Sequence, residues 1–547
     1  MRVALVLALL SLVAGCATVT LPPVEPGPLG SALEQDYYHV KIPTRDGIEL
    51  EATVYQPELA PGETAPLIIT THGFGGFRAK RPLSIYGKTM ITGEASLAAW
   101  RKGYWVVFYD QRGWGDSDGV SHGMDPDFEV ADLSEVIDWS LAHIPAVKTL
   151  PDGDPAIGMI GESYGAGVQL LTSFRDERLK AIVPVAGWHD LRTIAPHNHM
   201  KTNWGAALFV LGGISSGFDT GFMLKKPFRS GLSGTLNDEA LDILYERSPA
   251  AHCDRGEAPY ADALFVSGFR DNLFGVQEAI SNQECFLSHG RDARVLGIQG
   301  GHILPWPMQK WSGKPYFNTD DEIHCGDYEA PLTDTIVAWW DEKLLGAEPV
   351  VPQQCFTLDY ETGLADSALF EQGPEPYRVP TSKVHIPFAG MFDWFMIGSD
   401  IVGDWFRSAW PGADMRFTQP NGGFGRPKFI PVYIAHENEV LSGIPEIDLR
   451  LDGTASRFST RVFVGIGVQH AGKRRVHVAS EQLTPLPKKG FYREQLPAVS
   501  MPLKPGDRVG LVVYGYTWQY FTNPSYWWSQ ARVSGELLLP VKEIPED

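Results

Sequence analysis

Continuous apolar runs of four to six residues recur over the first 300 positions of the chain, and helix-compatible segments such as 127–143 lie between several of them. The runs are 66–71, 104–109, 156–160, 181–185, 263–266 and 295–298. Strands that are buried on both faces of a parallel sheet have this pattern rather than an alternating one. Short buried strands that alternate with helices predict an open α/β sheet.

Three regions have a different pattern. In residues 40–55, apolar and polar side chains alternate on both sides of an Asp-Gly turn, which predicts a β-hairpin. The stretch 191–260 is longer than one crossover requires, so we expect an inserted helical cap between two parts of an α/β core, 36–190 and 261–350. Residues 351–547 hold short β-rich runs between Gly and Pro turns, which predicts an antiparallel sandwich or jelly roll.

The first sixteen residues have the features of a bacterial lipoprotein signal peptide. Arg2 precedes an apolar stretch, 3–14, that is interrupted only by Ser11. This stretch is shorter than the ~20 residues that span a bilayer, and it suits a secretory signal. Residues 12–16 (LVAGC) resemble a lipobox, so we expect Cys16 to be the lipidated first residue of the mature protein.

The residues after Cys16 indicate where in the cell the mature protein is located. Residues 17–35 are rich in Pro and small side chains, as in a flexible tether. Ala17 stands where an Asp is associated with retention in the inner membrane. We therefore expect an exported lipoprotein that is anchored in the outer membrane and faces the periplasm.

Cysteine usage agrees with export. Four cysteines remain beyond Cys16, an even number that fits an oxidising compartment, and they allow three pairings that the sequence leaves open. They are Cys253, Cys285, Cys325 and Cys355. Since none has C-x-x-C spacing, we expect no structural zinc site.

The overall composition limits the classes of protein to which the chain can belong. The chain has 547 residues, 44% hydrophobic and 20% charged, which is typical of a globular protein with two to four domains. Its formal net charge of −20 argues against a nucleic-acid-binding protein, because phosphate contacts require clustered Lys and Arg.

One sequence motif predicts a catalytic residue. Residues 161–165 (GESYG) fit G-x-S-x-G and lie between the buried run 156–160 and the helix-compatible run 165–171. In that context the glycines allow a tight strand-to-helix turn that exposes the serine oxygen above the sheet. The N-terminus of the following helix favours developing negative charge. We therefore expect Ser163 to be a catalytic nucleophile.

A serine nucleophile needs a base, and the base needs a carboxylate that fixes its tautomer. In this arrangement the acid and then the histidine follow on loops after later strands. Asp271 comes just after the run 263–266, and His302 comes just after the run 295–298. The order predicts a catalytic triad of Ser163, Asp271 and His302.

Other acids and histidines compete for these roles. Asp262 precedes its strand and Asp292 lies in a charged loop, so we interpret both as surface residues. The competing histidines are His72, His122, His189, His197 and His199. His72 follows an early strand, too early in the chain for the base. The spacing of His197 and His199 in the cap resembles that of a metal site, but acidic or Cys ligands are sparse nearby, so we interpret both as solvated or core side chains.

Hydrolysis through a tetrahedral intermediate also needs backbone donors for the oxyanion. The amide of Tyr164 follows the nucleophile and is one candidate. The Gly-rich loop 72–76 (HGFGG) follows the buried run 67–71, which is where the second donor is expected. We expect that donor to come from Phe74 or Gly75.

These motifs resemble those of a known family, the cocaine-esterase-like and X-Pro dipeptidyl-peptidase-like acyl hydrolases of the CocE/NonD type. The resemblance is carried by 43–47 (PTRDG), 109–119 (YDQRGWGDSDG), 161–165 (GESYG) and 268–271 (GFRD). It implies an α/β-hydrolase sheet with an inserted helical cap, followed by an all-β jelly-roll domain that helps to enclose the site. It also supports the roles given to Ser163, Asp271, His302 and the Tyr164 amide.

The sequence departs from the family's pattern in the oxyanion hole. Family members often carry Pro-Tyr after the strand that corresponds to 67–71, and that phenol helps to bind the oxyanion. Here the matching positions are Gly73 and Phe74. Because Phe has no hydroxyl, the second donor should be a backbone amide. We interpret Arg112, in the second motif, as structural.

Taken together, the sequence predicts a serine hydrolase that cleaves carboxylic ester or amide bonds of small acyl substrates, without a metal or cofactor. An X-Pro dipeptidyl-peptidase is the nearer alternative. Aminopeptidase action needs an anionic anchor for the substrate amine, and no carboxylate in the cap is an evident candidate. The other alternative is a non-catalytic, surface-anchored binding protein with a vestigial hydrolase core.

Overall fold

The computed structural model describes most of the chain. The described residues are 23, 30–82, 90–216, 228–302, 322–358, 363–364, 375–386, 416–418, 427–453, 461–515, 517–520 and 529–544. The predicted signal peptide, Cys16 and most of the tether lie outside them. Within those residues, no helix has both the length and the apolar character that crossing a membrane requires.

A β-hairpin precedes the central sheet. Strands β1 (Asp36–Pro43) and β2 (Glu49–Gln56) pair antiparallel, and Gly47 has a φ of 86° in the turn between them. A glycine adopts this left-handed conformation without steric cost. The predicted hairpin is confirmed, and its second strand pairs antiparallel with the strand Trp105–Tyr109 at one edge of the sheet.

The central sheet holds twelve strands of the described chain. After the hairpin they are β3 (Leu67–Thr71), β4 (Trp105–Tyr109), β5 (Ile157–Glu162), β6 (Leu179–Val185), β7 (Asp262–Gly268), β8 (Ala293–Ile298), β9 (Glu322–Cys325), β10 (Tyr328–Pro331), β11 (Gln354–Thr357) and β12 (Gly363–Leu364). Their spatial order is β1-β2-β4-β3-β5-β6-β7-β8-β11-β12-β9-β10. The strands from β4 to β11 in this order run parallel. The predicted α/β sheet is confirmed.

The sheet extends past residue 350, where the sequence analysis placed the start of the all-β region. Strand β11 pairs parallel with β8, with Cys355 opposite Leu296. A disulfide joins Cys355 to Cys325 of β9, with their Cα atoms 5.8 Å apart. Residues 354–357 therefore belong to the central sheet.

Helices cover both faces of the sheet, and three more lie in the insertion between β6 and β7. The helices of the described chain are α1 (Ile91–Arg101), α2 (Glu129–His143), α3 (Tyr164–Thr172), α4 (Thr202–Ser215), α5 (Asp238–Glu246), α6 (Pro249–Asp254), α7 (Val276–Ser288) and α8 (Leu332–Trp340). Helices α2, α3 and α7 pack on one face, while α1 and α8 pack on the other. In β3, Leu67 and Ile69 face the first layer and Ile68 faces the second, so both faces are buried.

The insertion is the helical cap that the sequence predicted. It contains α4, α5 and α6, and short 3-10 turns at Leu191–Ile194, Pro196–Asn198 and Phe228–Ser233. A second disulfide joins Cys253 of α6 to Cys285 of α7, with a Cα–Cα distance of 6.0 Å. The two disulfides select one of the three pairings that the sequence left open.

Antiparallel sheets follow the central sheet, as predicted. Their strands are β13 (Glu375–Ile386), β14 (Arg416–Thr418), β15 (Lys428–Ile434), β16 (Glu439–Gly443), β17 (Glu446–Gly453), β18 (Val462–Gln469), β19 (Arg475–Val478), β20 (Thr484–Leu486), β21 (Gly490–Gln495), β22 (Val499–Pro502), β23 (Arg508–Tyr514), β24 (Ser529–Leu539) and β25 (Val541–Glu543). Residues of the two larger sheets share one apolar core, for example Leu449 and Val533 with Val464 and Leu511.

The β region contacts the loops that follow β7 and β8. The Gln299 amide donates to the backbone oxygen of Ser500 in the β region (3.0 Å), and also to that of Thr357 at the end of β11 (2.7 Å). Arg270 lies 3.6 Å from the carboxylate of Glu481. Both loops of the hydrolase core are thus held from the side of the β region.

Candidate active site

Ser163 lies in a strained turn between β5 and α3. Its backbone has φ 50° and ψ −109°, a conformation that costs energy for a residue with a side chain and that often marks a functional site. Neighbouring residues must be small for the turn to form. A Cβ atom on Gly161 would lie 2.5 Å from the Gly165 oxygen, and one on Gly165 would lie 2.9 Å from the Thr71 oxygen. The motif glycines therefore allow α3 to approach both β5 and β3 closely.

The structure brings the three predicted triad residues together. His302 Nε2 lies 2.8 Å from Ser163 Oγ, and His302 Nδ1 lies 2.8 Å from Asp271 Oδ2. Asp271 and His302 are 1% and 4% exposed, respectively. These are hydrogen-bond distances, so the three side chains form a continuous chain from carboxylate to hydroxyl.

The surroundings of Asp271 fix the direction of these hydrogen bonds. Its Oδ1 accepts the backbone amides of Leu273 (2.8 Å) and Phe274 (2.9 Å), which holds the carboxylate in place. Its Oδ2 faces His302, so the Nδ1 of that ring carries the proton and donates it. The Nε2 of His302 is then free to accept the Ser163 hydroxyl proton.

The competing acids lie in a separate ion cluster. Lys343 Nζ is 3.1 Å from Asp262 Oδ2 and 2.7 Å from Asp292 Oδ2. Arg294 also pairs with Asp292 at 2.6 Å, and its hydrogen bond is the main attraction that lowers the pKa of this carboxyl against the effect of burial. Neither acid is in contact with His302, and the cluster packs around Trp339 of α8.

The competing histidines have other partners. The rings of His189, His197 and His199 bind Asn282 (3.0 Å), Glu494 (2.8 Å) and Arg461, respectively, and the ring of His122 stacks on Phe128. His72 lies beside the site, since the loop 72–76 begins with it. Its Nε2 accepts the Gln111 amide (3.1 Å), so its Nδ1 donates to the Gly73 oxygen (2.7 Å). Burial lowers the pKa of this imidazole, in agreement with a neutral ring that shapes the loop.

The loop 72–76, from which the sequence analysis expects the second oxyanion donor, is tightly turned. The Gly76 amide donates to the Gly73 oxygen (3.0 Å), and Gly75 between them has a φ of 76°. The ring of Phe74 contacts Trp114 and Tyr164 edge-on, at centroid distances of 4.3 Å and 5.5 Å. The Phe74 side chain thus occupies the space beside the nucleophile with an apolar ring.

Tyr164 presents its backbone and its side chain to different partners. Its phenol accepts the Met124 amide (2.7 Å) and lies 3.0 Å from Glu129 Oε1. Burial raises the pKa of this phenol well above its ordinary value. The hydroxyl is therefore held in a buried hydrogen-bond network, and the backbone amide at the start of α3 remains the group that lies next to Ser163.

The insertion contributes residues that the sequence analysis did not single out. The Trp204 ring lies edge-on to His302 at 4.9 Å, and its Nε1 donates to Asn272 Oδ1 (2.7 Å). Lys201, which is 2% exposed, donates to the Leu273 oxygen (2.8 Å). A sequence signal was available in α4, whose fourteen residues include no charged side chain.

An apolar cavity of about 360 Å³ opens beside Ser163. Core residues on its wall include Phe74, Met124, Tyr164, Leu273 and Phe274. The insertion adds Leu191, Ile194, Met200, Leu208, Phe209, Phe228, Leu236 and Leu244. Among the described residues that line it, none is Asp, Glu, Lys or Arg. The cavity therefore fits an uncharged, apolar group.

The described residues do not indicate a metal site or a catalytic role for Arg112. No group of three or more His, Cys, Asp or Glu side chains among them is arranged to hold a metal ion. Arg112 lies 2.9 Å from Asp46 and 2.6 Å from Asp132, and it is 3% exposed. Its contacts join the hairpin turn to α2, as expected of a structural residue.

Solved structures with this fold include two with a similar arrangement over nearly their whole length. An aminopeptidase from the marine sediment archaeon Thaumarchaeota archaeon has a TM-score of 0.61 and 14% identity, covering 93% of this chain and 97% of that one. A CocE/NonD family hydrolase from Staphylococcus aureus has a TM-score of 0.56 and 13% identity, covering 96% and 100%. At these identities the similarity establishes a shared fold.

Sequence comparisons place the chain in a family. The family model of the X-Pro dipeptidyl-peptidase (S15 family) matches residues 46–212. An uncharacterized 31.7 kDa protein in the traX-finO intergenic region of Escherichia coli is 30% identical over 289 residues, which are 51% of this chain and 91% of that protein. The chain therefore belongs to the same family as this relative, and its residues 46–212 form an X-Pro dipeptidyl-peptidase (S15 family) domain.

Proposed function

We propose that this protein is a serine hydrolase that cleaves esters or amides of small, apolar carboxylic acids through an acyl-enzyme intermediate. The observation that carries the proposal is the hydrogen-bonded chain from Asp271 through His302 to Ser163, which lies beside the apolar cavity. Serine nucleophiles are activated by such a chain on several unrelated folds.

In the first step, His302 Nε2 takes the hydroxyl proton of Ser163 as Oγ forms a bond to the substrate's carbonyl carbon. The carbonyl oxygen becomes negatively charged, and the Tyr164 amide and an amide of Phe74 or Gly75 are the proposed donors to it. The bond between the carbonyl carbon and the leaving group then breaks, and His302 returns the proton to the departing oxygen or nitrogen. Asp271 stabilises the imidazolium that exists between these transfers.

Water completes the reaction. It gives a proton to His302 Nε2 while its oxygen attacks the acyl carbon, and the bond from that carbon to Ser163 Oγ breaks as the proton passes back to Oγ. The aromatic rings of Trp204 and Phe274 lie with their centroids 4.9 Å and 5.5 Å from that of His302. They shield the imidazole from bulk solvent during both steps.

The lining of the cavity supports an apolar acyl group. A cavity of 150 Å³ holds benzene, so the volume of about 360 Å³ leaves room for a larger aromatic ring or a medium-length alkyl chain. An X-Pro dipeptidyl-peptidase must anchor the ammonium group of its substrate, and the described lining offers no carboxylate for it. We therefore favour an esterase over this second candidate.

Two measurements test the proposal on the full-length protein. A fluorophosphonate probe should label the wild type and leave Ser163→Ala unlabelled, whereas a vestigial binding protein would leave both unlabelled. A panel of p-nitrophenyl esters and X-Pro amides should then show turnover of the esters. Hydrolysis of the X-Pro amides alone would identify the second candidate as the function.

We further propose that the protein is an exported lipoprotein that is anchored through Cys16, in the outer membrane and facing the periplasm. The lipobox-like residues 12–16 support the anchor. The disulfides Cys253–Cys285 and Cys325–Cys355 support an oxidising compartment.

A further inference from the structure

The motif that follows β4 has no part in the proposed reaction so far, yet it lies directly beside the Gly-rich loop of the expected oxyanion hole. Strands β3 and β4 pair in parallel with Thr71 opposite Tyr109, so both strands end at the same level of the sheet. The next residues, His72 after β3 and Asp110 and Gln111 after β4, are therefore neighbours. Each of these three is at most 2% exposed.

Gln111 holds the first residue of the loop in two ways. Its backbone amide donates to His72 Nε2 (3.1 Å), and its side-chain Nε2 donates to the His72 backbone oxygen (2.8 Å). Because a carbonyl oxygen can only accept, the nitrogen of the Gln111 side-chain amide must face it. These two bonds fix both the ring and the backbone of His72.

Asp110 holds the other end of the same segment. Its carboxylate accepts hydrogen bonds from the backbone amide and the guanidinium of Arg78, two residues beyond the loop. It also accepts the Asp116 amide (2.9 Å), so the motif closes over this carboxylate. Separating a buried carboxylate from its guanidinium leaves an uncompensated charge, so this end of the segment is firmly held.

The sequence between these two anchors favours flexibility. It contains Gly73, Gly75 and Gly76, and glycine loses more conformational freedom on ordering than any other residue. Oxyanion donors stabilise a transition state only when they are aimed at the position where the negative charge develops. A glycine-rich donor loop therefore depends on contacts that fix its ends.

We propose that Asp110 and Gln111 are positioning residues of the oxyanion hole, which hold the ends of the segment 72–78 so that an amide of this segment points at the substrate's carbonyl oxygen. This role rests on the proposed hydrolase reaction, in which the loop supplies the second donor. Neither residue lines the cavity beside Ser163, so both act through the loop rather than on the substrate.

Gln111→Leu in the full-length protein tests the first anchor. This variant removes the side-chain amide and keeps the backbone bond to His72. A displacement of about 1 Å can cost about 10²-fold in rate, so we expect kcat for a p-nitrophenyl ester to fall about 10–100-fold while KM stays nearly unchanged. An alkyl trifluoromethyl ketone, to which Ser163 Oγ adds to form a bound oxyanion, should bind more weakly by a similar factor.

Gln283→Leu is the matched control for this change. Gln283 of α7 is also 2% exposed, and its side-chain amide donates to the backbone oxygen of Ala293 in β8 (2.9 Å). The control should become less stable to urea, as Gln111→Leu does, but keep the wild-type kcat and affinity for the ketone. If the role of Gln111 were merely structural, the two variants would behave alike.

Gly115→Ala tests the second anchor independently. Gly115 has a φ of 61°, and a Cβ atom there would overlap the Asp110 carboxylate. We expect kcat to fall about tenfold because the far end of the loop is displaced. Gly472→Ala is the control, since Gly472 has a φ of 70° and an added Cβ would meet no atom within 4 Å. That variant should keep its kcat.

Three results would overturn the positioning role alone, provided that the wild type reacts with a fluorophosphonate. They are a wild-type kcat and ketone affinity in folded Gln111→Leu and Gly115→Ala, an equal loss of kcat in Gln283→Leu, and a rise in KM without loss of ketone affinity. A wild type that does not react with the fluorophosphonate would instead refute the proposed function, and this role with it.

Discussion

The ammonium group of Lys201 donates a hydrogen bond of 2.8 Å to the backbone oxygen of Leu273. The amide of Leu273 in turn donates to Asp271 Oδ1, so the residue that precedes helix α4 of the insertion is connected to the acid of the triad. Lys201 is 2% exposed, and burial lowers its pKa to about 8. This buried charge should affect stability in a way that depends on pH.

We expect Lys201→Met to change how the free energy of unfolding varies between pH 7 and pH 9. In the unfolded chain this lysine holds its proton up to about pH 10.5, whereas in the folded protein it loses it near pH 8. The unfolded state therefore binds more protons in this window, and stability rises with pH. Relative to Lys201→Met, the wild type should gain about 1 kcal/mol between pH 7 and pH 9.

Urea denaturation of both proteins at the two pH values measures this difference, because groups that lie far from Lys201 titrate alike in both and cancel. An identical pH dependence in the two proteins would show that the Lys201 ammonium carries no penalty from burial. Thermal unfolding at pH 7 serves as a check that Lys201→Met is folded.

The triad makes a prediction about turnover. Ser163→Ala, His302→Ala and Asp271→Asn should each lower kcat by about 10⁴–10⁶, because members of such a unit act together. Asp292→Asn is the matched control, since Asp292 lies in the ion cluster with Lys343. It should keep nearly full activity. If Asp292→Asn were inactive and Asp271→Asn active, our identification of the acid would be wrong.

The sequence predicted the parts of the fold that depend on one local property of a segment, such as its burial in the sheet. Strands such as β3 are buried on both faces, so an uninterrupted apolar run identifies them without knowledge of their neighbours. Ser163, Asp271 and His302 follow from the same reasoning, because each comes after a strand whose end could be recognised.

Other features depend on contacts that no local pattern encodes. Residues 354–357 join the central sheet by pairing with β8, and nothing in their composition distinguishes them from a strand of the β region. The contact of Trp204 with His302 requires a long insertion to fold back over the site. The pairing of the four cysteines likewise depends on tertiary structure.

Lipidation of Cys16 can be tested directly. We expect mass spectrometry of the mature protein to find an acylated N-terminal Cys16, and Cys16→Ser to be released from membranes or to remain unprocessed. Stable attachment requires more than one acyl chain, which a lipoprotein cysteine carries. An unmodified N-terminus at another residue would exclude this form of anchoring.

The acyl cavity should respond to a small change in helix α4. A Cβ atom on Gly212 would lie 2.5 Å from Cε1 of Phe74, so Gly212→Ala should displace that ring, which lines the cavity. We expect kcat/KM for a p-nitrophenyl octanoate to fall about tenfold relative to that for the acetate. Gly30→Ala, which meets no atom within 4 Å, is the control and should leave the ratio unchanged. An unchanged ratio in Gly212→Ala would mean that this part of the cavity does not hold the acyl chain.

The last prediction concerns the oxyanion hole, where Phe74 stands in place of the tyrosine that many relatives carry. If the donors are the Tyr164 amide and a backbone amide of the loop 72–76, the Phe74 side chain is dispensable for stabilising the transition state. Phe74→Ala should then change kcat only mildly and act mainly on acyl preference, because its ring lines the cavity while its amide remains.

Gly75→Val should have the opposite result. Gly75 has a φ of 76°, which a β-branched residue cannot adopt without strain, so the loop must move and misplace its amides. Losing one oxyanion donor costs about 2.7–4 kcal/mol, so kcat at saturating ester should fall about 10²–10³-fold. Gly47→Val is the matched control, because Gly47 has a φ of 86° in the distant hairpin turn, with no atom near the added side chain. That variant should lose stability but keep its kcat. A thousandfold loss in Phe74→Ala together with nearly normal turnover in Gly75→Val would contradict a backbone donor in this loop.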